Sequence, residues 1–328
     1  MKEKIKRIWS EDKFYIISLL IIIITFNYKL PYYVTAPGGT IDISNRIEYD
    51  EKYEYDGSLN MLYVTQYEAI IPIYLLSYII PDWDLESIST NQISNEEHHE
   101  IDMRNKIMLN NSINNAIYVA YTKAEKEINI REQKSYIIAT LRDTDLKIGD
   151  QILEINDQNI TNLEDIKNTI SKYDIDDTIK VKVLRNNKEK IINTKLSDID
   201  GTKGLGIIVM NNYEYNINPE ITLNFKKSES GSSGGLMMAL SIYSAISGED
   251  ILKGRNIAGT GTIDNFGNVG KIDGIKYKIM GAVNNDMDVI LVPRDNFKEA
   301  KKIVKEKNYD IELVEINTFD DAIEYLLN

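Results

Sequence analysis

The residues best suited to chemistry lie in one short run, SESGSSGGLMMAL at residues 228–240. Ser233 sits within Gly231-Ser232-Ser233-Gly234-Gly235, a G-x-S-x-G pattern. The small neighbours let backbone approach a carbonyl carbon, and the apolar residues that follow predict a helix starting beside the serine. Free amides of Ser233 and of Ser232 or Gly234, aided by the helix dipole, could hold an oxyanion there. The same residues also suit a flexible Gly/Ser turn that caps a helix.

A serine hydroxyl needs a base to become a nucleophile. The two histidines, His98 and His99, both lie far upstream of Ser233, which speaks against a Ser-His-Asp triad of the usual strand-to-helix type. As adjacent residues they point apart and cannot readily chelate one ion, so the reading is a solvated polar stretch and no metal site. A lysine can serve as base if burial keeps its amine neutral near pH 7. Residues 274–285, GIKYKIMGAVNN, read as a helix. Within it Lys276 is followed by Ile279, Met280 and Val283 at helical spacing, which would place its amine on an apolar stripe. Lys278 has Gly274, Ile275, Gly281 and Ala282 at the same offsets, a less apolar set. Lys276 is therefore a candidate base, and on pattern alone snorkelling to the surface is an equal alternative.

These residues fall in a chain of 328 with 43% apolar residues, a net charge of −13 and no cysteine. That is enough for two domains and an anchor. The acidity disfavours nucleic acid as a partner, and the lack of cysteine excludes thiol nucleophiles, disulfides and thiolate metal sites. Lys2, Lys4, Lys6 and Arg7 precede an uncharged run at 14–26, and apolar and aromatic residues continue to 34 around Lys29. The expectation is a transmembrane anchor at 14–34, with 1–13 cytoplasmic and the rest of the chain outside the membrane. A cleaved signal peptide is the alternative. Another apolar stretch, 58–80, reads as a strand followed by a helix or loop, because Gln66, Glu68 and Pro72 interrupt it as a span.

Residues 136–196 read as strand, turn, strand, amphipathic helix and strand, and from about 200 the chain alternates strand and helix in α/β fashion. The phrase LKIGDQILEINDQNI, followed by a helix and IKVKVLRNNK, resembles a PDZ domain through Gly149, Asp150, Ile152 and Asn156. The resemblance implies a groove that adds a peptide as a strand, with Tyr136, Ile137 and Ile138 on one wall and Ile166 and Ile170 on the other.

Residues 231–293 resemble the proteolytic domain of Lon-type proteases. The features that carry the resemblance are Ser233 in its small-residue box, Thr260-Gly261, Gly267-Asn268-Val269 and Gly274-Ile275-Lys276, with the separation of serine and lysine that the family shows. Departures are Ser232 and Gly234, where the family often has proline and alanine, and Thr262, where it usually has glutamate. The whole layout resembles the PDZ-containing Lon-like membrane-anchored proteases of Gram-positive bacteria. This implies an α/β (α+β) Lon-type domain at 199–328, a PDZ-like domain at 116–198, and residues 35–115 packed with the protease. It implies a Ser233–Lys276 dyad, with Thr260 orienting the lysine, and cleavage of exported peptides or proteins. No cofactor is implied. The sequence has no G-x-x-x-x-G-K-[ST] box, so cleavage without ATP is expected. The family also hints at a homo-oligomer. The rival expectation is an anchored PDZ-like scaffold with an inactive protease domain.

Overall fold

The computed structural model describes residues 2–49, 53, 55–94 and 96–328, with side chains for all of these but 2–11 and 91. The main elements are α1 (Lys2–Asn27), β1 (Lys29–Asp42), β2 (Ser58–Ile70), α2 (Ile71–Leu76), β3 (Asp84–Ser87) and α3 (His98–Lys123). Then come β4 (Glu127–Thr140), β5 (Gln151–Ile155), α4 (Leu163–Ile170), β6 (Thr178–Arg185), β7 (Lys188–Lys195) and β8 (Ile207–Asn218). The chain ends with α5 (Gly235–Ser247), β9 (Asn256–Gly259), α6 (Ile275–Val283), β10 (Val289–Pro293), α7 (Arg294–Lys307), β11 (Glu312–Ile316) and α8 (Phe319–Leu327).

One sheet runs β11-β10-β9-β2-β1-β3. Strands β9, β10 and β11 are parallel, β2 joins β9 in parallel (Asn256 opposite Ser58, Gly259 opposite Met61), and β1 and β3 complete it antiparallel. Residues from the first third of the chain therefore build the same sheet as the last third. Alternation along the strands separates two cores. Leu59, Met61, Ile257 and Leu291 pack with α5 on one face. Leu62, Ala258, Ile290 and Val292 pack with Ile275, Ile279 and Ala282 of α6 and Ala300 of α7 on the other. Helix α5 is mostly apolar and buried along nearly its whole length, its Ser241 and Ser244 included, as expected of a central helix. It ends at Gly248, whose positive φ of 82° closes the helix. Helices α3, α4 and α8 each start at a capping box, Glu97/Glu100, Asn162/Asp165 and Thr318/Asp321.

A second sheet runs β8-β4-β5-β6-β7, with the short strand Gln158–Asn159 paired to β5. Its core holds Ile137, Leu146, Ile152, Ile155, Ile166, Ile170, Ile179, Val181 and Val183. Two expected boundaries need correction. A PDZ-like unit starting at 116 would cut α3, which runs unbroken from His98 to Lys123 because no breaker interrupts it. An end at 198 would leave out β8, which pairs with β4 along almost its whole length, from Ile207 opposite Thr140 to Asn218 opposite Glu127.

The anchor is also corrected. Helix α1 ends at Asn27, and residues 29–34 enter β1 instead of extending a span. Tyr33 and Val34 pair with Glu68 and Tyr67, and Val34 is fully buried. Pro31 and the Tyr/Val pattern favour strand over helix here. No helix among the described residues is long and apolar enough to cross a membrane. The basic side chains Lys2, Lys4, Lys6 and Arg7 lie outside the described residues. Most of the described apolar side chains of α1 are exposed, Phe14 at 75% and Phe26 at 57% among them. The Nδ1 of His98 meets the Tyr33 hydroxyl at 2.8 Å.

Candidate active site

Ser233 lies just before α5, half-buried. Thr260 directly follows β9 and is fully buried. Lys278 is in the second turn of α6, 2% exposed. Its Nζ lies 2.7 Å from the Ser233 hydroxyl and 2.8 Å from the Thr260 hydroxyl. Burial pushes its amine down to about 7, against a weaker opposing pull from Asp273. A lysine that is half neutral near pH 7 and in hydrogen-bond contact with a serine can accept that serine's proton.

Lys276, the lysine favoured by sequence, does something else. Its amine pairs with Asp84 at 2.7 Å and Asp82 at 3.4 Å, and its side chain is 34% exposed. Burial alone would lower its pKa, but the hydrogen bonds and charges of Asp84 and Asp82 raise it above the ordinary value. Tyr277 donates to the same Asp84 at 2.5 Å. The apolar-stripe argument failed because α6 is enclosed on almost every side: Ile275, Tyr277, Ile279, Met280 and Ala282 are all buried. In such a helix no single stripe marks the inside. The small residues around Lys278 mark the closest approach instead. A methyl group added at Gly281 would stand 3.2 Å from the Gly39 amide nitrogen of β1, so the helix backbone lies almost against the strand. The signal in sequence was therefore Gly274, Gly281 and Ala282, which read as weak hydrophobicity and meant tight packing.

The peptide groups around Ser233 are held firmly. The Ser232 carbonyl accepts from the Gly235 amide at 3.3 Å and from the Ser112 hydroxyl at 3.1 Å. The Ser233 carbonyl accepts from the Gly261 amide at 2.7 Å and from the Thr260 hydroxyl at 3.0 Å. Ser232, Gly234 and Thr260 thus all surround Ser233. A Cβ at Gly234 would run into the Met61 sulfur, so a side chain there would force Met61 to move aside. Among the described residues, three or more His, Asp or Glu side chains nowhere gather in a way that could hold a metal ion.

The PDZ-like groove does not lie where sequence placed it. Ile137, Ile138, Ile166 and Ile170 are buried in the core. Strand β4 has neighbours on both sides at the relevant residues: Tyr136 faces Met210 of β8 and Gln151 of β5. It has no edge to offer. The edge strands are β8 and β7, and it is β8 whose Ile207 and Val209 pack into the same core as Ile166 and Ile170 of α4. The open edge beside α4 is therefore that of Ile207–Met210. The alternation Leu205, Ile207, Val209 carries the signal, but by sequence alone this strand follows the unit's last clear strand and joins the α/β region.

Residues 226–328 match the family model of the Lon protease (S16) C-terminal proteolytic domain, and residues 139–196 match that of the PDZ domain. The chain is 34% identical over 98 residues to the Lon protease of Campylobacter jejuni, covering 30% of this chain and 12% of that protein. It is 37% identical over 93 residues to Lon protease 1 of Sorangium cellulosum, covering 28% and 11%. The chain thus spans only about an eighth of the length of these relatives. Among solved structures, the PDZ domain of an SdrC-like protein from Listeria monocytogenes is 26% identical, covering 23% of this chain and 85% of that one, with a TM-score of 0.22. The chain carries a Lon-type serine peptidase domain and a PDZ domain within a mixed α/β fold.

Proposed function

We propose that this chain is an ATP-independent serine endopeptidase in which Lys278 is the general base for Ser233. The observation that carries this is the 2.7 Å contact between a buried Lys278 amine, held near pH 7, and the Ser233 hydroxyl. Neutral Lys278 takes the Ser233 proton as Oγ attacks the substrate carbonyl carbon. The carbonyl oxygen becomes an oxyanion beside the Ser233 and Gly234 amides. The lysine ammonium then gives its proton to the departing amine, the C–N bond breaks, and an acyl-serine remains. Water attacks the acyl carbon as Lys278 takes its proton, and Lys278 then returns that proton to Ser233 Oγ as the C–Oγ bond breaks and the carboxylic acid product leaves. Thr260, which contacts both Lys278 and the Ser233 carbonyl, keeps the amine on the hydroxyl.

The absence of a phosphate-binding box from the sequence supports cleavage without ATP. The exposed apolar side chains of α1, after a basic N-terminal flank, support attachment of this helix to a membrane surface. The substrates on this reading are exported peptides or loosely folded segments, with an extended peptide added to the Ile207–Met210 edge.

The test is cleavage of secreted peptides by the chain and by Ser233→Ala, Lys278→Ala and Lys276→Ala variants. The first two should lose at least about 10³-fold in kcat, the scale set by losing a nucleophile or its base, while Lys276→Ala keeps most of its activity. Wild-type rates in Lys278→Ala would refute the dyad. If no variant and no wild-type sample cleaves any peptide, the chain is better read as a membrane-attached PDZ scaffold with an inactive protease domain.

A further inference from the structure

A trans peptide unit is planar, so its C=O and the following N–H point in opposite directions. Whatever holds the Ser232 carbonyl therefore also aims the Ser233 amide. Two donors hold it: the Gly235 amide, which belongs to the helix start itself, and the Ser112 hydroxyl, which comes from α3, 120 residues earlier. Ser112 is 2% exposed. The fit is close enough that a side chain at Gly235 would bring a Cβ within 2.7 Å of the Ser112 oxygen. Neither the Ser233 amide nor the Gly234 amide has an acceptor among the described residues. Both are free to meet an oxyanion.

We propose that Ser112 is a positioning residue for the Ser233 reaction: by bonding the Ser232 carbonyl it aims the Ser233 amide at the place where the oxyanion forms. Helix α3 is in turn fixed by other polar side chains. Asn115 donates to the Ile263 carbonyl at 3.0 Å, Asn111 to the Asn211 carbonyl at 2.8 Å, and Asn114 to the Asn212 side chain at 2.7 Å. Ser112 differs from these in touching the reacting loop.

This rests on the peptidase reading, and the experiment separates the two. The full chain and its Ser112→Ala, Ser112→Cys and Asn115→Ala variants are compared for kcat and KM on a cleaved peptide, affinity for a peptide boronate that forms a tetrahedral adduct with serine, pH profile, and Tm. Ser112→Ala should lower kcat about tenfold, less than the 10²–10³ seen when an oxyanion donor itself is deleted. Boronate affinity should fall by the same factor, with KM and the pH limb unchanged. Ser112→Cys, which keeps a weak donor, should recover part of the loss, and Asn115→Ala should match wild type. Wild-type kcat and boronate affinity in Ser112→Ala, or an equal loss in Asn115→Ala, would overturn the positioning role alone. A wild-type chain that neither cleaves nor takes the boronate overturns the peptidase reading and the positioning role with it.

Discussion

Lys278, on α6, and Ser233, just before α5, are brought in by helices on opposite faces of one sheet, and their side chains meet at 2.7 Å just past the C-terminal end of β9. That is the end at which open α/β sheets place their ligand sites. Thr260, the first residue after the strand, bridges the two. The dyad therefore depends on both helices docking correctly on the sheet.

The activity should titrate with Lys278. Burial holds the amine at about 7, and only its neutral form accepts the Ser233 proton. A plot of kcat/KM against pH should rise through a limb near 7 and level off above it. A limb near the ordinary lysine value of about 10.4 would show that the base is not desolvated as described.

The same burial should make Lys278 a stability liability. Its pKa is depressed in the fold, so the folded state binds the proton less well than the unfolded chain. The penalty is full below pH 7 and fades as pH rises towards the ordinary 10.5. Lys278→Met should raise Tm at pH 6, by the equivalent of about 2–4 kcal/mol after losing its hydrogen bonds. The gain should shrink by pH 10. An equal gain at both pH values would point to packing rather than to charge.

Lys276 should matter for stability and little for rate. Lys276→Ala should cost about 1 kcal/mol, since both partners are partly exposed and solvent screens the pair. The Lys276 amine is raised above 10.5, so its contribution is present below that pH and is lost in strong alkali. The Asp84 carboxyl feels burial, which raises it, but its hydrogen bonds from Lys276 and Tyr277 win and hold it below 3.8. Its contribution is present above that pH and is lost on acidification. A denaturant midpoint unchanged at pH 7 would argue against the pair.

Peptide binding should be visible in backbone amide exchange. A peptide with an apolar C-terminus, added as a strand, should slow exchange at Ile207–Met210. It should leave Tyr136–Ile138 unchanged, because β4 is already flanked by β8 and β5. Protection at β4 with none at β8 would put the groove back where the sequence suggested.

Much of this protein was legible in its residues. The small-residue box around Ser233, the lack of a histidine after it and the period-two and helical patterns lead to a candidate serine and candidate lysines in an α/β domain, and the resemblances to Lon-type and PDZ domains joined the serine to a lysine. These are local signals, set by backbone freedom, side-chain chemistry and periodicity. Tertiary structure decided which lysine, and which strand, because both depend on contacts distant in sequence. Lys278 is buried because Gly281 lets α6 lie against Gly39, more than 200 residues earlier, while Asp82 and Asp84 draw Lys276 outward. Strand β8 becomes the open edge because it pairs back onto β4. The helical period shows which residues share a side, but in a helix enclosed on nearly all sides only the neighbours determine which side meets the serine.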